Sequence, residues 1–161
     1  MVTCYDAAFA RIINTSEIDI VLIGDSLGNV VLGYEDTIPV TIDDMIHHAS
    51  AVARKATRPL LCVDMPFMSY HLSREQALDN AGKLVQRGGA HAVKLEGGTE
   101  VVPQVRAITE AGIPVMGHLG FTPQSVHQLG GYLVQGRDDS SAQRIQKDAK
   151  ALEVAGAFAV V

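Results

Sequence analysis

The chain has 161 residues, 47% of them hydrophobic and 19% charged, which is the composition of a globular domain with one buried core. A net charge of −5 and a pI near 5.6 argue against a surface built to neutralise nucleic acid or anionic lipid, since both need clustered Lys and Arg. The opening MVTCYDAAFA has no basic stretch followed by a long apolar one, and no apolar run nears the roughly 20 residues of a membrane span; a cytoplasmic protein is expected.

The first strand is expected at VTCY (2–5), followed by a helix at 7–15 and a second strand, IDIVLIG, at 18–24. A helix at 41–55 leads into PLLCVD (59–64), one at 73–87 into HAVKLE (91–96), and one at 99–111 into IPVMGH (113–118). A last helix at 141–155 precedes AFAVV (157–161). Ser73 with Gln76 has the pattern of a capping box, and Thr122-Pro123 that of an N-cap with proline in the first turn. Gly88-Gly89, Gly112 and Gly156 fall where helices should end. Cys4 and Cys62 lie inside apolar runs, so free buried thiols are expected, neither of them a nucleophile.

These strands are continuously apolar, as parallel strands covered on both faces must be. Successive βα units make either an open doubly wound sheet or a closed barrel, and the polar residues arbitrate. Asp25 follows VLIG, Asp64 follows LLCV and Glu96 follows VKL, so three consecutive strands end in an acid. Barrels gather their chemistry at that end. The expected fold is therefore α/β, a (β/α)₈ TIM barrel with only about its first six strands present, forming a single partial domain over 1–161. A whole barrel takes about 250 residues, so a fragment with an apolar strand edge after the sixth strand is expected.

Three carboxylates converging in a low-dielectric barrel mouth repel one another unless a cation joins them. Asp25, Asp64 and Glu96 are thus candidate ligands of one hard ion, Mg²⁺; the alternative is that each caps a helix or bonds a loop amide. Lys94 and Glu96 are two apart on one strand, so the pleat turns both inward and leaves Val93 and Leu95 facing helices. Lys94 suits a substrate carboxylate or a developing oxyanion, or else an ion pair with Glu96. Ser26 could bind a substrate oxygen or cap the turn. His118, ending the fifth strand, is a candidate to support the site, or a structural hydrogen-bonding histidine. His47 and His48 are adjacent on a helix, about 100° apart, and read as packing and surface residues. GGYLVQGRDDSS (130–141) suits a mobile loop over the site or a plain connector.

Taken in order, GDSLG (24–28), IPVT (38–41), DMPF (64–67), VKLEGG (93–98), GHLGFTPQS (117–125) and GGYLVQGR (130–137) closely resemble the ketopantoate hydroxymethyltransferase family, whose barrel is of the phosphoenolpyruvate/pyruvate type. The resemblance runs along essentially the whole chain. It implies transfer of a one-carbon unit from 5,10-methylenetetrahydrofolate, a cosubstrate, to 3-methyl-2-oxobutanoate through a Mg²⁺-stabilised enolate. By residue it implies that Asp25, Asp64 and Glu96 surround Mg²⁺, directly or through water, and that Asp25, Ser26, Asp64 and Lys94 contact the oxo acid. It further implies a homo-oligomer, commonly a decamer, and a general-base glutamate expected just beyond Val161. Glu153 is the nearest acid but sits on the preceding helix. Two competing expectations stand beside this one: an inactive truncated barrel lacking the base, and a related Mg²⁺-dependent oxo-acid lyase or mutase. The lyase's lysine-cysteine-glycine-histidine segment does not occur in the chain.

Overall fold

Asp6 opens the first helix: its carboxylate accepts the N–H groups of Ala8 and Phe9 at 2.7 and 2.9 Å, satisfying two donors that a helix start leaves free. The computed structural model in which this cap is seen describes residues 1–131 and 133–161. Strand β1 (Val2–Thr3) precedes that helix, α1 (Ala7–Asn14), and β2 (Ile20–Ile23) follows it. After a four-residue helix α2 (Leu27–Val30), α3 (Ile42–Ala53) is opened by a capping box between Thr41 and Asp44. Then come β3 (Leu60–Asp64), α4 (Arg74–Gly88), β4 (Ala92–Glu96), α5 (Val102–Glu110) and β5 (Val115–His118). The chain ends with α6 (Val126–Leu129), α7 (Asp139–Val154) and β6 (Ala159–Val160).

The expected capping box at Ser73 is half made. Ser73 accepts from Gln76 N–H, but the Gln76 amide accepts from Leu72 N–H and donates to Met68 O instead. This ties down Met68, whose φ of 62° is rare for a residue with a side chain. The expected helix at 99–111 is a 3₁₀ turn (Thr99–Val101) that passes into α5 with proline in its first turn. Helix α7 starts two residues earlier than expected because Asp138 caps it reciprocally with Ser141, so the last part of the 130–141 stretch is helical. Tyr132, in that stretch, lies outside the described residues.

The six strands are all parallel and lie in the order β1-β2-β3-β4-β5-β6. Strand order follows chain order without a reversal, which is the winding of a barrel and not of a doubly wound sheet. The molecule is thus an arc of a β/α barrel. On its convex face Val21, Ile23, Leu61, Val63, Val93, Leu95 and Val115 are buried in one core with the helices. On the concave face Cys62, Ala92 and Met116 form a small second cluster with Ile20, Leu22, Leu60 and Ala159. Both cysteines are free and buried. Gly117 lies on the convex side, where an added Cβ would stand 2.7 Å from Leu152 Cδ1; its lack of a side chain lets α7 pack on β5. Among the described residues no helix is long and apolar enough to cross a membrane. Phe158, Val160 and Val161 are exposed along β6, the outer strand of the sheet.

Candidate active site

The sheet register builds the site. Asp64 on β3 is the Cα partner of Lys94 on β4, and Glu96 on β4 is the partner of His118 on β5. All four are on the concave face, towards the C-terminal ends of the strands from Cys62 and Ala92, because side chains two apart on a strand point the same way; Asp64 and Lys94 are level with Met116, and Glu96 and His118 lie one step further. Val93 and Leu95 face the helices, as the pleat requires. Asp25 comes two residues after β2, where the chain turns towards α2. Its backbone N–H donates to Asp64 Oδ2 at 3.1 Å.

Asp25, Asp64, Lys94 and Glu96 are between 3 and 5% exposed. Lys94 Nζ lies 2.8 Å from Asp64 Oδ1, yet this oxygen has no hydrogen-bond partner of good geometry; the contact is a close ion pair. Lys94 therefore pairs with Asp64, and not with Glu96 as the alternative reading of the sequence had it. Lys94 Nζ is also 3.3 Å from His118 Nδ1, and the same nitrogen is 3.2 Å from Glu96 Oε1. Since Nδ1 either accepts from Lys94 or donates to Glu96, the imidazole can serve only one of them at a time.

Charge balance is unfavourable with protein groups alone, since three carboxylates face one ammonium. Burial first and the Asp64 charge second push the Asp25 carboxyl up to about 7, against the hydrogen bond from Gln124. Burial likewise raises Asp64, opposed by Lys94. Burial pulls the Lys94 ammonium down, but Asp64, Glu96 and Asp25 together outweigh it and hold Lys94 above its ordinary value. Burial and then the Asp64 charge push the Cys62 thiol, below them, up to about 12, consistent with an inert thiol.

Two residues that the sequence did not single out complete the site. Gln124 is 6% exposed; its Nε2 donates to Asp25 Oδ2 at 2.8 Å and Met65 O at 2.9 Å. Its backbone N–H donates to Glu96 Oε2 at 3.0 Å. Tyr70 donates its hydroxyl proton to Gln124 Oε1 at 2.8 Å and accepts from Glu96 N–H at 3.2 Å. The Thr122-Pro123 start signal was the one clue to Gln124, because the first N–H groups of a helical turn are free to bind an acid. A cavity of about 500 Å³ opens against Glu96 and Gln124, walled by Phe67, Tyr70 and His71.

The helix-cap alternative holds for none of the three acids, but the loop-amide alternative holds in part: Asp64 accepts Asp25 N–H and Glu96 accepts Gln124 N–H. Ser26 stands at the start of α2 without capping it, and its Oγ is 2.8 Å from Tyr5 OH. Among the described residues no group of three or more His, Cys, Asp or Glu forms a ready metal cage. Asp25 and Asp64 make a bonded pair, and both oxygens of Glu96 are engaged by Gln124 and His118. His48 bonds Tyr5 O through Nδ1 and His47 is exposed.

The arc resembles solved barrels. A structure of phosphonopyruvate hydrolase in complex with oxalate and Mg²⁺ superposes with a TM-score of 0.73 at 14% identity, covering 99% of this chain and 56% of that one. One of 2,3-dimethylmalate lyase, a PEP mutase/isocitrate lyase superfamily member, gives 0.68 at 20% identity over 99% and 54%. These likenesses establish the fold: six strands of a TIM barrel. In sequence, 3-methyl-2-oxobutanoate hydroxymethyltransferase of Thermoanaerobacter sp. (strain X514) is 61% identical over 159 residues, 99% of this chain. The enzyme of that name from Heliobacterium modesticaldum (strain ATCC 51547 / Ice1) is 55% identical over 161 residues, the whole chain. The chain spans about 58% of the length of each of these two relatives. The model of the ketopantoate hydroxymethyltransferase family matches residues 1–161, and the chain belongs to that family.

Proposed function

We propose that residues 1–161 form one partial barrel domain carrying the metal and oxo-acid site of a 3-methyl-2-oxobutanoate hydroxymethyltransferase. The reaction joins the methylene carbon of 5,10-methylenetetrahydrofolate to C3 of 3-methyl-2-oxobutanoate, with uptake of water, giving 2-dehydropantoate and tetrahydrofolate. The relatives' shared name supports the reaction, and a cytoplasmic homo-oligomer accords with the family. The site's own chemistry supports Mg²⁺. Asp64 Oδ1 is buried with no aligned hydrogen bond, and the acids outnumber the one lysine by two charges, which a divalent cation balances. Asp25 and Asp64 would hold the ion, with Glu96 reached through water, a small protein donor set of the kind Mg²⁺ accepts. When bound there, Mg²⁺ supplies a Lewis acid for the oxo group.

The chain's own residues do the rest. Lys94 has three N–H donors; one faces Asp64 and a second reaches His118 when Nδ1 is not donating to Glu96, leaving at least one for the substrate carboxylate or for charge developing on its oxo oxygen. Ser26, held by Tyr5, orients a substrate oxygen. Burial of Asp25, Asp64 and Lys94 strengthens each charge interaction among them. Glu153 is exposed on α7 and takes no part.

The observation that carries this reading is the Asp64–Lys94 register pair facing Asp25 with an excess of buried negative charge. Calorimetric titration of Mg²⁺ into the chain tests it. Binding that is lost in Asp64→Asn is expected, and equal binding by both proteins would refute the assignment.

A further inference from the structure

Gln124 contacts the proposed metal site through both its side chain and its backbone. Both protons of its Nε2 are committed, to Asp25 Oδ2 and Met65 O, and its Oε1 receives the Tyr70 hydroxyl. The orientation is fixed by chemistry: turned about, the amide would set its oxygen against two acceptors. Its backbone N–H occupies Glu96 Oε2. One residue thus covers one oxygen on each of two acids; Asp25 Oδ1, Asp64 Oδ1 and Glu96 Oε1 carry no hydrogen bond of good geometry, the last two lying instead in ion-pair contacts with Lys94 and His118.

We infer that Gln124 is a positioning residue that selects Mg²⁺ over Ca²⁺ by restricting Asp25 to a single coordinating oxygen. The chemistry follows from ion size. Ca²⁺ takes six to eight oxygens and readily accepts both oxygens of one carboxylate, whereas Mg²⁺ requires a tight octahedron and keeps several waters. A bidentate Asp25 would raise the ligand count and favour the larger ion. The N–H of Gln124 at Oδ2 competes with the ion for that oxygen and disfavours the bidentate mode, and its main-chain N–H does the same at Glu96 Oε2. Tyr70 fixes the amide from its far side.

This inference rests on Asp25 being a metal ligand, and the experiment separates the two claims. Mg²⁺ and Ca²⁺ affinities are measured by calorimetry for the chain and for Gln124→Met and Gln124→Asn. Methionine keeps the length without the amide, and asparagine is too short to reach Asp25. The Tyr70 hydroxyl retains Glu96 O, at 3.1 Å, as an acceptor in both. The ratio of Mg²⁺ to Ca²⁺ affinity is expected to fall about tenfold or more in both variants; a smaller change in either folded variant overturns the role of Gln124. If the unsubstituted chain binds neither ion, it is the metal assignment that fails. A measurement on the unsubstituted chain needs no variant to fold: infrared difference spectra with ¹³C-labelled aspartate should show a one-oxygen carboxylate pattern on adding Mg²⁺. A two-oxygen pattern overturns the inference.

Discussion

Asp25→Asn should make the metal-free protein more stable at pH 8 while removing its affinity for Mg²⁺. Asp25 is 3% exposed, and the one lysine nearby is already paired with Asp64. Burial and the Asp64 charge hold its carboxyl near 7 in the folded state against an ordinary 3.8. Between those values the folded protein keeps a proton that the unfolded chain has released, so stability falls as pH rises through the window. Each pH unit is worth about 1.4 kcal/mol, giving at most about 4 kcal/mol lost by pH 8, a large part of the 5–15 kcal/mol typical of a domain. Asparagine has the same shape, can still accept from Gln124 and carries no charge. Raised Asp64 acts in the same direction as Asp25, and lowered His71 opposes it near neutrality; both remain in the variant, so the difference reports Asp25 together with its repulsion of Asp64. Urea denaturation followed by circular dichroism, with chelator, at pH 4 and pH 8 is the assay. The variant should match the unsubstituted protein within about 1 kcal/mol at pH 4 and exceed it by about 2–4 kcal/mol at pH 8. A variant less stable at pH 8 would refute the reasoning.

Lys94→Met leaves Asp64 buried without its cation and should cost about 3–5 kcal/mol at pH 8; the loss should shrink as acid protonates Asp64, which denaturation at several pH values would reveal. Gly117→Ala puts a methyl group against Leu152 and should cost about 1–3 kcal/mol. Combined with Leu152→Ala it should cost less than the two single changes together, by about 1 kcal/mol, and strict additivity in denaturation would show that the close approach has no consequence. With its thiol pushed up to about 12, Cys62 is roughly one part in ten thousand thiolate at pH 8. A disulfide reagent should therefore label it at least about a hundredfold more slowly in folded than in unfolded protein, and fast labelling would contradict its placement on the barrel floor.

The strands and the direction of Lys94 and Glu96 were legible because both depend on local periodicity: apolar runs mark covered parallel strands, and the pleat assigns faces. Acids at three strand ends pointed to the concave mouth for the same reason. The partner of Lys94 was not legible, because Asp64 reaches it through cross-strand register and not through sequence spacing. Gln124 and Tyr70 were hidden more deeply. Each is a single polar residue in a connecting segment, and Gln124 meets Asp25 only when the segment after β5 folds across the end of β2. The four-residue helices α2 and α6 are too short to show any period. Ser26 was visible as a candidate, but Tyr5, which holds it, comes from the segment between β1 and α1, 21 residues away in sequence.

The central claim is that Asp25, Asp64 and Lys94 form an oxo-acid site that depends on a divalent ion. The most direct measurement is the affinity of this chain for 3-methyl-2-oxobutanoate by calorimetry, with chelator and with saturating Mg²⁺. Binding that appears or strengthens at least about tenfold with Mg²⁺, and is absent in Lys94→Met under both conditions, is predicted. Affinity for the oxo acid that is the same with and without the ion would contradict the account.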